Sequence, residues 1–355
     1  MTDELRVLLD QVAQDLWHAV EPSAEASRRL WDELESLGLT LVGAGEALGG
    51  SGGTVSHAAE VAKAVGRHAL PLPIAETVLV ASWLLESAGL SIPPGPLTVA
   101  GAGPGDSLAG RLDGSGLVIS GTAEGVPWAA ESARIATVVQ AGGQWLVALV
   151  DPALVKVEGG VNLAGEPRQR VHYEVAVGEA GYRTLPFTVE EVRQRAALSR
   201  SAQLFGALEG TRELTLDFVG RREQFGRPIA RFQAVAQAVA ALAAEVSLAR
   251  VALAVAIRAA EDEQAGEIEC GTAKVMTSRA ARLVSAAAHQ LHGAIGVTAE
   301  YPLHQLTRRL WSWQDEDGTE DEWSARLGAA VAGDDAWAVL SAIEPGTCRS
   351  RKDTA

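Results

Sequence analysis

Along the first ninety residues, apolar side chains recur at helical spacing. Leu30, Trp31, Leu34 and Leu37 share one face, and Gly38 follows where such a helix would end. The run GAGEALGGSGG (Gly43–Gly53) breaks the pattern as a loop. Further helices are predicted over Ser56–Gly66 and Thr77–Ala88, with Pro71 and Pro73 interrupting the chain between them. Near residue 91 the rhythm changes. PPGPLTVAGAGPGDSLAGRLDGSGLVISG is rich in Gly and Pro, and Ile135–Val139, Trp145–Val150 and Val171–Val177 read as strands between turn residues. From Val189 the helical rhythm returns and is predicted to run to about Ile343, in the segments 190–220, 231–263, 272–292 and 299–313. Short connections between long helices favour antiparallel neighbours in a bundle. The reading is an α+β chain: a helical domain over 1–95, a small β domain over 96–185, a helical bundle domain over 186–345 and a frayed tail over 346–355.

Composition narrows the possible functions. A chain of 355 residues, 47% of them apolar, divides into two or three packed lobes with sizeable cores. A formal net charge of −15 opposes binding to nucleic acid or to an anionic membrane, since an acidic surface repels phosphate. The start MTDELRVLLDQVAQDLW is acidic and amphipathic, unlike a secretory signal, and the longest apolar runs, such as Ala234–Ala244, are interrupted. A cytoplasmic chain without a membrane span is expected. Cys270 and Cys348 form no metal-binding or disulfide pattern and are expected as reduced thiols. His289 and His292 share a helix face but lack a nearby carboxylate or thiolate, so no metal is expected. GAGPGD (Gly101–Asp106) fails as a dinucleotide fingerprint, because Asp106 stands where the third glycine belongs.

Two segments carry candidate chemistry. In RREQFGRPIARFQAVAQAVAAL (Arg221–Leu242), Arg222 offers a planar donor fork suited to pyrophosphate oxygens. In HQLHGAIGVTAEYPLHQLTRR (His289–Arg309), glycines permit close backbone approach. The first resembles the R-x-x-F-G…Q element of the acyl-CoA dehydrogenase superfamily, and the second its Q-x-x-G-G-x-G…E-Y-P-L…R element. The stretch LWDELESLGLTLVGAGEALGGSGG resembles that family's helix and following glycine loop, so the resemblance spans nearly the whole chain. It implies an N-terminal helical domain, a middle β domain and a C-terminal four-helix bundle. It also implies FAD as cofactor and α,β-dehydrogenation of an acyl-CoA thioester. By position, Arg222, Gln233, Gln290, Gly293 and Gly296 match residues that meet the FAD of a neighbouring subunit, and Thr319 joins the cofactor-binding set. Ala294 departs from the family's second glycine.

The resemblance also locates a base. Most members carry a Glu immediately before Gly-Thr, to take the proton α to the thioester. In WQDEDGTEDEW (Trp313–Trp323) the matching residue is Asp317, before Gly318 and Thr319, one methylene shorter. A minority place the base earlier, where this chain has Arg195 or Ala196, and Glu190 and Glu191 fall short of that position. The family's T-E-P-x-x-G-S-D loop is reduced to GAGPGDS (Gly101–Ser107), and GVPWAAESARIATVV resembles shorter members from actinobacterial lipid and steroid catabolism. Some of those are heterotetramers in which two unlike chains share the flavin site. Three readings follow: a subunit of such a homo- or heterotetramer with a paralogous partner, a self-sufficient dehydrogenase using Asp317, and a catalytically inactive subunit that holds its partner.

Overall fold

The computed structural model describes residues 2–18, 23–114, 116–263 and 265–332. The end of the expected bundle domain, the tail over 346–355 and Cys348 lie outside these residues.

Helices α1 (Thr2–Ala13), α2 (Ala24–Ser36), α3 (Val55–Arg67) and α4 (Ser82–Ser87) form the first part. Ser23 caps α2 by accepting from the Ala26 N–H at 3.1 Å, and Gly38 takes φ +72° just past its end. The segment predicted over Thr77–Ala88 is helical but opens with a π-helical stretch, Glu76–Ala81, before α4.

Eight strands follow: β1 (Leu97–Ala100), β2 (Ser107–Leu112), β3 (Leu117–Pro127), β4 (Arg134–Ala141), β5 (Gln144–Val150), β6 (Lys156–Glu158), β7 (Arg168–Val177) and β8 (Tyr182–Thr184). They make two four-stranded sheets, ordered β1-β4-β5-β8 and β2-β3-β7-β6, with β1 parallel to β4 and the other pairings antiparallel. In β7, Gln169, Val171, Tyr173 and Val175 turn inward while Arg170 and Glu174 turn outward, the period-2 alternation of a strand with one buried face. Leu117, Ile119, Ile135, Leu146 and Tyr173 share the core between the sheets.

The last part holds α5 (Val189–Arg221), the hairpin β9 (Glu223–Gln224) and β10 (Arg227–Pro228), then α6 (Gln233–Glu261), α7 (Glu267–His292), α8 (Leu303–Trp313) and α9 (Glu320–Val331). Thr188 and Glu191 close a capping box on α5. Every residue from Ala197 to Thr211 is buried, so α5 is packed on all sides through its middle. The N-terminal helices share one continuous core with this bundle. On α6, Leu242, Val246, Ala249 and Leu253 pack inward, while Leu248, Val251 and Val255 stay exposed. By length and a mean hydropathy of 1.9, α6 passes the compositional test for a membrane span, yet its inner face belongs to the bundle core.

Glycine sets how closely α3 and α5 approach. A Cβ on Gly66 would stand 2.0 Å from the Gln203 carbonyl oxygen, and one on Gly206 would stand 1.9 Å from that of Lys63. The two backbones touch, and neither helix can shift without the other. Beside the crossing, Arg67 pairs with buried Glu209 and with Asp10, tying α1, α3 and α5 together. Gly206→Ala is expected to destabilise the chain by about 3 kcal/mol through overpacking. Gly220→Ala, late in the same helix with open space around it, should be neutral or stabilising by up to about 1 kcal/mol. Denaturant midpoints of the two variants check this contrast.

Candidate active site

The turn between α8 and α9 is built by local constraints. Asp317 takes φ +57° and Gly318 φ +95°. A Cβ on Gly318 would lie 2.3 Å from the indole nitrogen of Trp323, which donates to the Asp317 carbonyl at 2.9 Å. Thr319 caps α9 by accepting from the Glu322 N–H at 3.1 Å, and the Glu322 carboxylate accepts from the Thr319 N–H at 2.8 Å. Glycine and threonine are therefore required here by backbone geometry alone.

Beside this turn opens a cavity of about 700 Å³, walled by all three parts of the chain. That volume is in the usual range for a bound organic ligand. Glu76 and Val80 come from the first part, Val99 and Val126 from the β domain, and Ala196 and Arg200 from α5. Asp317, Gly318 and Thr319 form one edge, and Gly101's neighbours Ala102, Gly103, Pro104 and Asp106 another. The loop read from sequence as a remnant thus keeps a place on the cavity wall. Asp106 holds it by accepting from the Gly103 and Glu124 N–H groups, both at 2.8 Å. Of the two earlier-base positions, Ala196 lines the cavity, and Arg195 instead donates to the Leu79 carbonyl.

At the floor of the cavity lies a buried network of charges. The Arg200 guanidinium donates from Nε to Asp317 Oδ2 at 2.9 Å and from Nη2 to Glu76 Oε1 at 3.2 Å, and lies 3.2 Å from Glu316 Oε2. Arg168 pairs with Glu316 at 2.7 Å and with Glu166 at 3.3 Å, and Arg309 pairs with Glu166 at 2.9 Å. Asn162 and the Trp313 indole supply further donors to these carboxylates. Three guanidiniums thus face four carboxylates.

Two of the acids, Glu316 and Glu76, are shifted in opposite directions. Burial works to raise the Glu316 carboxyl, but Arg200, Arg168 and the hydrogen bonds outweigh it and bring it down to about 2. Burial raises Glu76 above the ordinary carboxylate value despite Arg200 beside it, and its Oε2 finds no protein donor among the described residues. Burial thus acts on Glu76 in the direction of the protonated form, opposite to the net effect on Glu316. Asp317, with 30% of its side chain exposed, is the most accessible to whatever fills the cavity. Its Oδ2 is engaged by Arg200, which leaves Oδ1 to meet a ligand.

The other expected site residues lie elsewhere. Arg222, Gln233, Gln290 and Gly293 are exposed, at the end of the bundle where α5 and α7 finish and α6 begins, and Gly296 is buried there. Phe218 stacks on His292 with centroids 4.4 Å apart, which joins the α5 and α7 ends. The 22 positions from Arg200 to Arg222 span roughly 33 Å of helix, so these residues do not reach this chain's own cavity. Sequence reasoning missed Glu76, Arg168 and Arg200, and weighed Glu316 only as a base that would need a shifted backbone. Charged residues within an Ala/Leu-rich helical pattern were the available signal, visible for Arg200 in VEEVRQRAALSR.

Residues 189–329 match the family model described as acyl-CoA dehydrogenase, C-terminal domain. Over more of its length the chain is 28% identical to Acyl-CoA dehydrogenase IpdE2 of Mycobacterium tuberculosis (strain ATCC 25618 / H37Rv), covering 84% of this chain and 86% of that protein. It is 29% identical to Acyl-CoA dehydrogenase FadE28 of the same organism, covering 78% and 84%. Among solved structures, the Tcur3481–Tcur3483 steroid ACAD G363A variant aligns with a TM-score of 0.83 at 26% identity, over 94% of this chain and 98% of that one. The ChsE4–ChsE5 complex from Mycobacterium tuberculosis aligns at 0.85 and 23% identity, over 94% and 97%. With the fold, these findings support an acyl-CoA dehydrogenase superfamily member, a group of oxidoreductases that act on the CH–CH bond of acyl-CoA.

Replacing Arg200 by Met should destabilise the fold by about 3–5 kcal/mol, because it strands buried carboxylates without a counter-charge. Glu316 gives a pH signature. Its folded value of about 2 lies below the ordinary 4.5, so its contribution is present above pH 4.5 and is lost as pH falls towards 2. That contribution is on the order of 3 kcal/mol. Glu316→Gln should therefore flatten the acid limb of a stability-against-pH curve, measured by urea midpoints between pH 7 and pH 2.5.

Proposed function

We propose that this chain is a subunit of an FAD-dependent acyl-CoA dehydrogenase that introduces a double bond between Cα and Cβ of an acyl-CoA thioester, and that it shares its flavin sites with a second, paralogous chain. One observation carries the shared-site reading. Arg222 sits roughly 33 Å along α5 from Arg200 in the cavity of its own chain, at the exposed bundle end, while Thr319 lines that cavity. This separation supports a cofactor seated in a neighbouring subunit for Arg222.

Their chemistry suits a flavin dinucleotide. Arg222 is exposed and has no carboxylate partner among the described residues, so its donor fork is available for pyrophosphate. Gln233, at the start of α6, and Gln290, near the end of α7, present exposed amides. Gly293 takes φ +63° with nothing within 4 Å of where a Cβ would stand, so a ligand can approach its backbone. When bound, the flavin would accept the hydride that leaves the β-carbon. The exposed apolar strip of α6, Leu248, Val251 and Val255, supports an oligomer built through the bundle.

The base is the point at which two readings part. Asp317 stands at the family's position, short by one methylene and held on one oxygen by Arg200. A displacement of about 1 Å is enough to cost on the order of a hundredfold in rate. The engaged oxygen favours a partner chain as the source of the working base, and the relatives solved as two-chain assemblies are consistent with that. The runner-up is a catalytically inactive subunit that holds its partner, favoured by the same ion pair.

In the assembled complex, Asp317→Asn should change the anaerobic rate of flavin bleaching by an acyl-CoA no more than about twofold. The matching change in the partner's carboxylate should abolish bleaching. Loss of bleaching in the Asp317 variant alone would assign the base to this chain. Arg222→Ala should weaken FAD retention by about tenfold or more, as expected for one charge-assisted hydrogen bond. Flavin-to-protein absorbance after gel filtration reads it directly, and unchanged flavin content would remove Arg222 from the site.

A further inference from the structure

Lys274 is fully buried in the middle of α7, at 0% exposure. A buried ammonium needs compensation, and no carboxylate lies within ion-pair distance of this one among the described residues. It donates instead to the Gln314 carbonyl at 2.7 Å, to the Trp313 carbonyl at 3.4 Å and to the Ser278 hydroxyl at 3.0 Å. Ser278 in turn donates to the Gln314 carbonyl at 3.1 Å. Trp313 and Gln314 close α8, where a helix leaves its carbonyls unpartnered and carries partial negative charge. Three residues beyond Gln314 comes Asp317.

We propose that Lys274 is a positioning residue: its ammonium clamps the end of α8 and so sets how the turn 315–318 presents Asp317 and Glu316 to the cavity. The turn has two other restraints, the Trp323 indole on the Asp317 carbonyl and Arg200 on the side chains. Lys274 is the one that fixes where the turn begins. The geometric role stands by itself, and its consequence for catalysis rests on the dehydrogenase reading.

Burial brings the ammonium down to about 8, where it can be titrated under mild conditions. The charged groups that act on it most strongly are Asp317, then Arg200, Glu316 and Asp315, on the turn and on α5. A neutral amine keeps two N–H donors for three acceptors and loses the attraction to the helix end. The turn should therefore loosen as pH rises through about 8.

Hydrogen exchange on the full chain tests this. Rates corrected for the intrinsic pH dependence are compared between wild type and Lys274→Met for peptides covering 310–323, with β7 as internal reference. At pH 7 the variant should exchange about tenfold faster in that peptide and unchanged in β7. Wild type should approach the variant between pH 7 and pH 9.5, and the variant should show no such dependence. Equal protection in the two proteins, or acceleration spread over the whole bundle, would overturn the positioning role. If the variant does not fold, the wild-type titration decides: flat corrected protection of 310–323 across pH 8 overturns the proposal. Turnover of an acyl-CoA by the assembled complex separates the two readings. Lost turnover with unchanged exchange counts against Lys274 alone. Inactive wild-type complex with the expected exchange pattern counts against the dehydrogenase reading alone.

Discussion

The Arg200 guanidinium is where the three parts of the chain meet. It is buried on α5 and reaches Glu76 of the first part and Glu316 and Asp317 of the turn before α9. Through Glu316 it is coupled to Arg168 of the β domain. A charge in this position is costly unless every donor finds an acceptor, and a network lacking one member is worse than an apolar core. The arrangement of the parts around the cavity is consequently a condition for burying Arg200 at all. Its stability and the shape of the site are one problem.

Helix α5 makes that solution possible. Its middle, Ala197–Thr211, is enclosed on every side, so the polar residues it carries must be matched by neighbours rather than by water. Arg200 meets the turn, and Glu209 meets Arg67. Between them the glycine contacts with α3 hold the helix at backbone distance from the first part. Rigid placement along this one helix carries the same precision from the crossing to the cavity and on to the exposed end at Arg222.

The two ends of α5 have opposite chemical character. At the cavity, acids and guanidiniums pair with one another, with Glu76 Oε2 left without a donor among the described residues and Asp317 held by Arg200 through Oδ2. At the far end, Arg222, Gln233, Gln290 and Gly293 are exposed, and Arg222 has no carboxylate partner among the described residues. One helix thus carries a buried, paired set of charges at one end and exposed donors at the other.

Much of this was legible in the amino-acid sequence, because it rests on local physics. Short apolar, β-branched runs between turn residues mark the strands Ile135–Val139 and Trp145–Val150, and long apolar segments at helical spacing mark the helices. The Gly318–Thr319 pair and the R-x-x-F-G segment were readable through their resemblance to family motifs, and the structure adds the positive φ at Gly318 and the cap at Thr319. The charge network was not. Glu76, Arg168, Arg200 and Glu316 are distant in sequence, and none is required by its own neighbours. Nor could spacing disclose that Asp317 is held by Arg200, or that Lys274 supports the turn from α7. Only the packing of α5, α7 and the β domain against one another decides which charges become neighbours, because the energy of a buried ion pair depends on distance and desolvation in three dimensions and leaves no periodic trace along the chain.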